Sequence, residues 1–494
     1  MVVKLTRQSL DWALSHVEKL GDTDIFPVPF EYLAIRQNWD SLATYLSSQD
    51  LDTWQVRPFR KCMTPKHRYG FRIATQLDPL DLLIYTALVY EIGTELEEHR
   101  IPAGDEVVFS FRFKPTDEGY IYDPTIHWSS FLRRSRELAD SASYSHVVLA
   151  DIADFYPRLY LHRLENALDG ATTKPGHARA LIKIIKQWNN GVSYGIPVGP
   201  TVSRLLAEIT IDDIDRGLLA ERAVYCRYSD DFRIFCETKR EAYERLETLA
   251  RFLLENHGLT LQQYKTSIVP IEEFHRRYLA TEVEVERDTS MQAKINALNL
   301  HELLREQLSV EDIDMGMFKF ILQRLSQLGD SEMVDEIISS IDNCYPVIPQ
   351  IIKYVQTLRG LDPNQKVKLG HDVITLLTES VVGHLQFHRC WILNIFTFSN
   401  EWNNRNEFPR LYSLYTDQFS ARKLVLALGR AKHDYWFRQK KHDLMSFPPW
   451  IKRAFLAAAS CMQADERKFW YGSIKNRLDQ LEQAVVEWAK AYPF

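Results

Sequence analysis

Asp151 closes the apolar run Val147-Val148-Leu149-Ala150, and Asp230 and Asp231 stand side by side within Tyr228-Ser229-Asp230-Asp231-Phe232. Adjacent aspartates in a strand-like, aromatic setting repel one another and have low strand propensity, so a bound cation is the natural compensation. Carboxylates that converge from separate elements can hold two divalent cations about 4 Å apart, which stabilises both the attacking and the leaving oxygen of a phosphoryl or nucleotidyl transfer. A lone Tyr-x-Asp-Asp string is a weak match, so its context decides.

The elements that must position these acids alternate in type up to about residue 285. The runs 106–113, 146–152, 223–236 and 266–271 read as strands by their apolar and β-branched content. Between them, Asp78-Pro79-Leu80-Asp81 opens a helical stretch to His99, and 203–221 and 239–258 repeat the 3.6 periodicity, the last ending at Gly258. The strands are too few and dispersed for a doubly wound sheet, and the expected class is α+β with a small antiparallel sheet backed by helices. From 286 to 494 strand signals vanish and helix follows helix. Helical pairs recur at about 35–45 residues, the texture of HEAT-like hairpins or of an irregular helical bundle. Two domains are expected, 1–285 and 286–494.

Bulk properties set limits on the partners. With 494 residues, 45% of them hydrophobic and 26% charged, the chain can build folded domains and has no disordered or fibrous bias. The six cysteines show no metal-ligand spacing, which points to a reduced setting. No apolar run reaches membrane-spanning length, and the first 20 residues read as an amphipathic helix, so a cytoplasmic protein without membrane contact is expected. The net charge of -6 excludes a generic nucleic-acid coat. Residues 54–77 nevertheless contain no acid, while Arg57, Arg60, Lys61, Lys66, Arg68 and Arg72 supply cations that could hold phosphates.

Four ordered blocks resemble the palm of the reverse-transcriptase family. They are Asp151-Ile152-Ala153-Asp154-Phe155-Tyr156, then Gly195-Ile196-Pro197-Val198-Gly199-Pro200-Thr201-Val202-Ser203 with Ala207-Glu208, then Tyr228-Ser229-Asp230-Asp231-Phe232, and finally Gly258-Leu259 with Lys265-Thr266. The resemblance implies a right-hand palm and fingers followed by a helical region, and an RNA-directed DNA polymerase. It implies two Mg²⁺ ions, with Mn²⁺ as a substitute, held by Asp151, Asp230 and the carbonyl of Ile152, with Asp231 assisting. Tyr156 would lie under the sugar and exclude a 2′-hydroxyl, Pro197 and Gly199 would shape a loop near the templating pair, and Lys265 would protonate the departing pyrophosphate. Arg72, then Lys66 and Arg68, would meet the triphosphate, and Arg112 the template or triphosphate. The implied partners are dNTPs, an RNA template that includes the case of a dedicated non-coding RNA, the DNA product and further copies of the chain. Val198, where the family often has Gln, together with the following Pro-Thr-Val-Ser-Arg-Leu-Leu-Ala-Glu, is similar to the anti-phage abortive-infection and defence-associated group. Template-independent synthesis on the same site, or an RNA-binding scaffold without chemistry, are the competing readings.

In the C-terminal half, Lys432, Arg438, Lys440 and Lys441 alternate with Tyr435, Trp436 and Phe437. Such a mixture can bind single-stranded nucleic acid, or it can be a helix whose aromatics are buried and whose cations are solvated.

Overall fold

The computed structural model describes residues 2–67, 69–279, 297–310, 313–358, 361–398, 402 and 406–494. They form two compact units, each assembled from non-contiguous segments. The first comprises 1–24, 43–59 and 80–293, and the second 25–42, 60–79 and 294–494.

The first unit is built on a four-stranded antiparallel sheet. Strands β3 (His146–Asp151), β4 (Val224–Tyr228), β5 (Asp231–Cys236) and β6 (Ser267–Pro270) lie in the order β4-β5-β3-β6. Burial of Val147, Leu149, Phe235 and Val269 against Phe131, Leu138 and Phe274 gives the sheet its hydrophobic face. Helices Pro79–His99, Ser203–Thr210 and Lys239–Phe252 occupy the segments whose periodicity predicts them, and Pro175–Trp188 is a further helix. The 203–221 stretch is two helices, broken at Ile211, where φ is −108°. The helix begun at Lys239 widens into a π turn, Leu253–His257, and ends on Gly258 at φ +64°, a conformation glycine adopts without strain.

The stretch 106–113 is not the strand its composition predicts. Glu106 and Phe111 adopt φ of 52° and 47°, which interrupts an extended chain. Only single bridges remain, Val108 to Arg227 and Phe113 to Tyr122.

In the second unit, β1 (Arg60–His67) and β2 (Gly70–Gln76) form an antiparallel hairpin. Its other described regular elements are helices, as the C-terminal texture predicts. Alternate helices pack in a row: Met315–Leu328 on Ile348–Thr357, then Gln386–Phe398, Gln418–Arg430, Pro449–Ala458 and Gln480–Ala491. That is the arrangement of stacked helical hairpins. Within this unit Glu31 is buried and accepts from Arg422 and from Arg453 at 3.1 Å, while Arg453 also reaches Asp78 at 2.9 Å. Asp78 is therefore a buried ion-pair partner, a role beyond the helix start its position suggests. No described helix is long and apolar enough to cross a membrane.

Candidate active site

The β3–β5 register places Asp151 directly opposite Asp231, and the turn between β4 and β5 consists of Ser229 and Asp230. The three carboxylates singled out by their sequence setting thus meet at one end of the sheet. The turn needs a left-handed residue, and Ser229 provides it at φ +57°, a strain of the kind found at functional sites. Asp151 is buried, while Asp230 and Asp231 are half-buried. Burial first, then the charges of Asp230 and Asp151, push the Asp231 carboxyl up to about 6.

Lys265, in the short turn Gln263–Lys265, puts its ammonium 2.6 Å from Asp151 Oδ2. Burial works against its charge, but the bond to Asp151 and the nearby acids outweigh it, so Lys265 holds its proton more tightly than usual. Asp151 thus already pairs with a cation. Among the described residues, no group of three or more His, Cys, Asp or Glu is placed so that it could hold a metal ion between them. A site open on one side still fits Mg²⁺, which takes one or two carboxylates and completes its shell with water and substrate phosphates. The backbone adds a donor. Ile152 bridges Leu261 through bonds from Ala153 N to Thr260 O and from Gln262 N to Asp151 O, at 2.8 and 2.7 Å. That pattern turns the amide and carbonyl of Ile152 away from Leu261, and its N–H reaches Asp230 O at 3.1 Å.

Tyr156 is half-buried five residues after Asp151. Burial raises its phenol pKa, and Arg204, Glu208, Asp230 and Ser229 are the polar groups acting on its hydroxyl. The 195–200 loop is tied to the same segment. Ile196 N donates to Tyr156 O at 3.1 Å, and Gly195 N to Leu159 O at 2.8 Å. Pro197 is buried, and Gly199 has φ +132°, which a side chain would strain.

Lys66 and Arg72 are exposed on the β1–β2 hairpin of the second unit, and Arg68 lies outside the described residues. Arg112 is a correction: its guanidinium is buried and paired with Glu97 at 2.6 Å, so it offers no charge to a template. In the 429–442 segment, Phe437 is buried, Trp436 packs on Phe455, and Arg438 and Lys441 pair with Glu466 at 2.8 and 3.0 Å. Lys432 donates to the Phe494 carbonyl, and Lys440 approaches Asp443 at 3.6 Å. Tyr435 is exposed, so the segment combines packed aromatics and paired cations with one free aromatic face.

A buried network beneath the turn was not anticipated. Ser229 N donates to Ser110 Oγ at 2.8 Å, Ser110 Oγ to Glu208 Oε1 at 2.6 Å, and Arg227 Nη1 to Ser229 O at 2.7 Å. Arg227 also meets Glu208 at 3.0 Å and Asp215 at 2.5 Å, and Arg100 meets Glu208 at 2.9 Å. The signal available in sequence was Arg227 inside an apolar strand and Glu208 and Asp215 inside apolar helical stretches, charges that are buried only when paired.

The Asp231 shift has a testable consequence. An aspartate ordinarily titrates at 3.8, so between about 4 and 6 the folded state holds a proton that the unfolded chain has lost. Stability therefore falls as pH rises through that window and stays lower above it. Asp231→Asn is expected to stabilise the protein at pH 8 by about 1–3 kcal/mol and to gain much less at pH 4. Thermal melts at the two pH values decide this, and an unchanged or lowered melting temperature at pH 8 contradicts it.

Residues 94–286 match the family model described as reverse transcriptase (RNA-dependent DNA polymerase), a span containing the sheet, the three aspartates, Tyr156, the 195–208 block and Lys265. No curated protein matches the sequence. Among solved structures, telomerase from Candida albicans with a TWJ fragment of telomeric RNA is 12% identical, over 71% of this chain and 69% of that one, with a TM-score of 0.33. Apo telomerase from Candida tropicalis is 11% identical, over 80% and 72%, with a TM-score of 0.32. Residues 94–286 are a reverse transcriptase domain, and by that domain the chain is an RNA-directed DNA polymerase, a nucleotidyltransferase.

Proposed function

We propose that the chain extends a hydroxyl terminus with dNTPs on an RNA template, using Asp151, Asp230, Asp231 and the Ile152 carbonyl to hold two Mg²⁺ ions. The observation that carries the reading is the one-ended cluster of Asp151 opposite Asp231 with Asp230 beside them in the turn. Bound there, Mg²⁺ would neutralise the triphosphate and stabilise charge on the attacking and leaving oxygens. The protein's own contributions are orientation and proton supply. Asp151 and Asp230 would gather the reacting groups at the sheet end, and the Lys265 ammonium, 2.6 Å from Asp151, would give a proton to the departing pyrophosphate. The 195–200 loop, bonded to the Tyr156 segment, would present backbone to the templating pair.

Tyr156 would close the sugar pocket. Tyr156→Ala is expected to raise the use of NTPs relative to dNTPs by about 10- to 100-fold, the range that sterics in a pocket supply. Competition between labelled dNTPs and NTPs measures it, and an unaltered ratio rejects the gate.

The biological setting we propose is anti-phage defence in the cytoplasm. Val198, the Pro200–Glu208 block and the row of C-terminal helices support it. Purified protein incubated with Mg²⁺ and each labelled dNTP, with and without RNA, tests the activity. RNA-dependent incorporation is expected, and absence of incorporation under every condition overturns the reading.

A further inference from the structure

We propose that Tyr160 and Tyr194 form a stacking platform for unpaired bases of single-stranded RNA, served by a cationic groove beside it; this rests on the polymerase reading above. The two rings are 48% and 46% exposed, in a region where the neighbouring Leu159, Leu161 and Ile196 are buried. They face one another across an antiparallel bridge with centroids 6.5 Å apart, tilted by 44°. Neither is needed to fill the core.

The platform is rigidly built. Leu161 N donates to Ser193 O at 2.9 Å and Gly195 N to Leu159 O at 2.8 Å, on either side of the tyrosine pair. Asn189 Nδ2 caps the carbonyls of Tyr194 and Gly195 at 3.0 and 2.5 Å. Gly195 has φ +90°, and a Cβ there would lie 3.1 Å from Pro157 O, so this approach requires glycine. Fixed aromatic faces bind bases without first losing conformational freedom. The next bond along, Ile196 N to Tyr156 O, connects the platform to the sugar-pocket residue, and an edge of Tyr160 lies 3.9 Å from where a Cβ on Gly258 would stand.

The charges nearby suit a polyanion. Arg158 and Arg163 flank Tyr160 in sequence and are exposed, and no acid among the described residues pairs with either. A groove of about 490 Å³ runs by Gly191, two residues before Ser193, and carries Arg179, Lys183 and Lys186 against Asp52 and Glu165, with Lys186 paired to Glu165 at 3.6 Å. Cations that follow a backbone, with aromatics on which successive bases stack, are the recurrent means of holding a single strand. Stacking is indifferent to base identity, which is what a polymerase that must pass every template base requires.

The test is binding of a fluorescently labelled 20-nucleotide single-stranded RNA by anisotropy, without dNTPs or Mg²⁺. The double substitution Tyr160→Ala/Tyr194→Ala is expected to raise Kd by about 10- to 100-fold, and Tyr160→Phe/Tyr194→Phe to keep it within about twofold, since rings without hydroxyls still stack. Arg158→Ala/Arg163→Ala is expected to flatten the salt dependence, by about 0.7 in log–log slope for each phosphate that is no longer neutralised. Circular dichroism melts matching the wild type show that the exposed substitutions leave the fold intact. Equal RNA binding by the alanine pair, or equal weakening by the alanine and phenylalanine pairs, overturns the platform. Because binding is read without chemistry, wild-type protein that binds RNA but incorporates nothing would refute the polymerase reading alone. RNA-dependent incorporation with unaltered binding by the alanine pair would refute the platform alone.

Discussion

Asp230→Asn is expected to reduce nucleotide incorporation by about 1000-fold or more while leaving the fold intact. The substitution exchanges one carboxylate oxygen for an amide nitrogen in a two-residue turn, where asparagine is as well tolerated as aspartate. The bond that fixes the turn to Ile152 uses the backbone carbonyl of Asp230 and survives the change. What disappears is one carboxylate of the proposed metal site, where Asp151 and Asp231 are paired in register. Charge stabilisation by a metal is worth several kcal/mol at the transition state, and about 4 kcal/mol corresponds to a thousandfold rate loss. A second readout separates binding from chemistry. Mn²⁺ titration followed by electron paramagnetic resonance is expected to show weaker binding in the variant, and removal of one repelling charge is expected to make it no less stable than the wild type. Full incorporation, or unaltered Mn²⁺ binding, would contradict the assignment of Asp230 as a ligand.

The acids themselves were legible in sequence because the signal is local: an apolar run ending in Asp151, and two aspartates where strand propensity disfavours them. Their register is also readable in principle, since a hairpin closing on Ser229 and Asp230 leaves Asp231 at the first paired position. Helix positions followed from periodicity, including the Gly258 stop. The failure at 106–113 has a clear cause: its alternating apolar residues satisfy a strand pattern, but the backbone reverses at Phe111, and nothing in the identity of a phenylalanine announces a positive φ. Arg112 departs from expectation for a related reason. A cation beside aromatic residues looks like a ligand for phosphate, and only the tertiary structure reveals Glu97 as its partner. The division of the chain was likewise hidden, because the hairpin 60–79 precedes the first unit's long helix in sequence yet clusters with helices more than 200 residues away. Periodicity says which face of an element is buried, not against which segment.

The network beneath the turn leads to the largest expected effect on stability. Glu208 is fully enclosed and serves Ser110, Arg100 and Arg227 at once. Burial alone would weaken the charge on Arg227, and the neighbouring Asp215 and Glu208 reverse this and hold it firmly protonated. Removing Glu208 leaves Arg227 to Asp215 and Arg100 to Glu97, with one carboxylate fewer for the two buried guanidiniums, and breaking a buried pair from one side costs about 3–5 kcal/mol. Glu208→Ala is expected to lose that much in urea unfolding monitored on the first unit. Glu208→Gln, which keeps the shape and one acceptor, is expected to lose less. The effect does not stop at stability. Ser229 is held in its left-handed conformation by Ser110 on its N–H and Arg227 on its carbonyl, and Glu208 orients both side chains. In Ser110→Ala, where no charge is exposed and most of the fold energy is retained, incorporation is expected to fall further than the small loss of stability explains. The Mg²⁺ concentration for half-maximal activity is expected to rise, while the KM for dNTP stays near its original value. A parallel fall in stability and activity, with unaltered Mg²⁺ dependence, would reduce the network to a packing device. A rise in Mg²⁺ demand would instead mean that buried charges under the β4–β5 turn set the aim of Asp230.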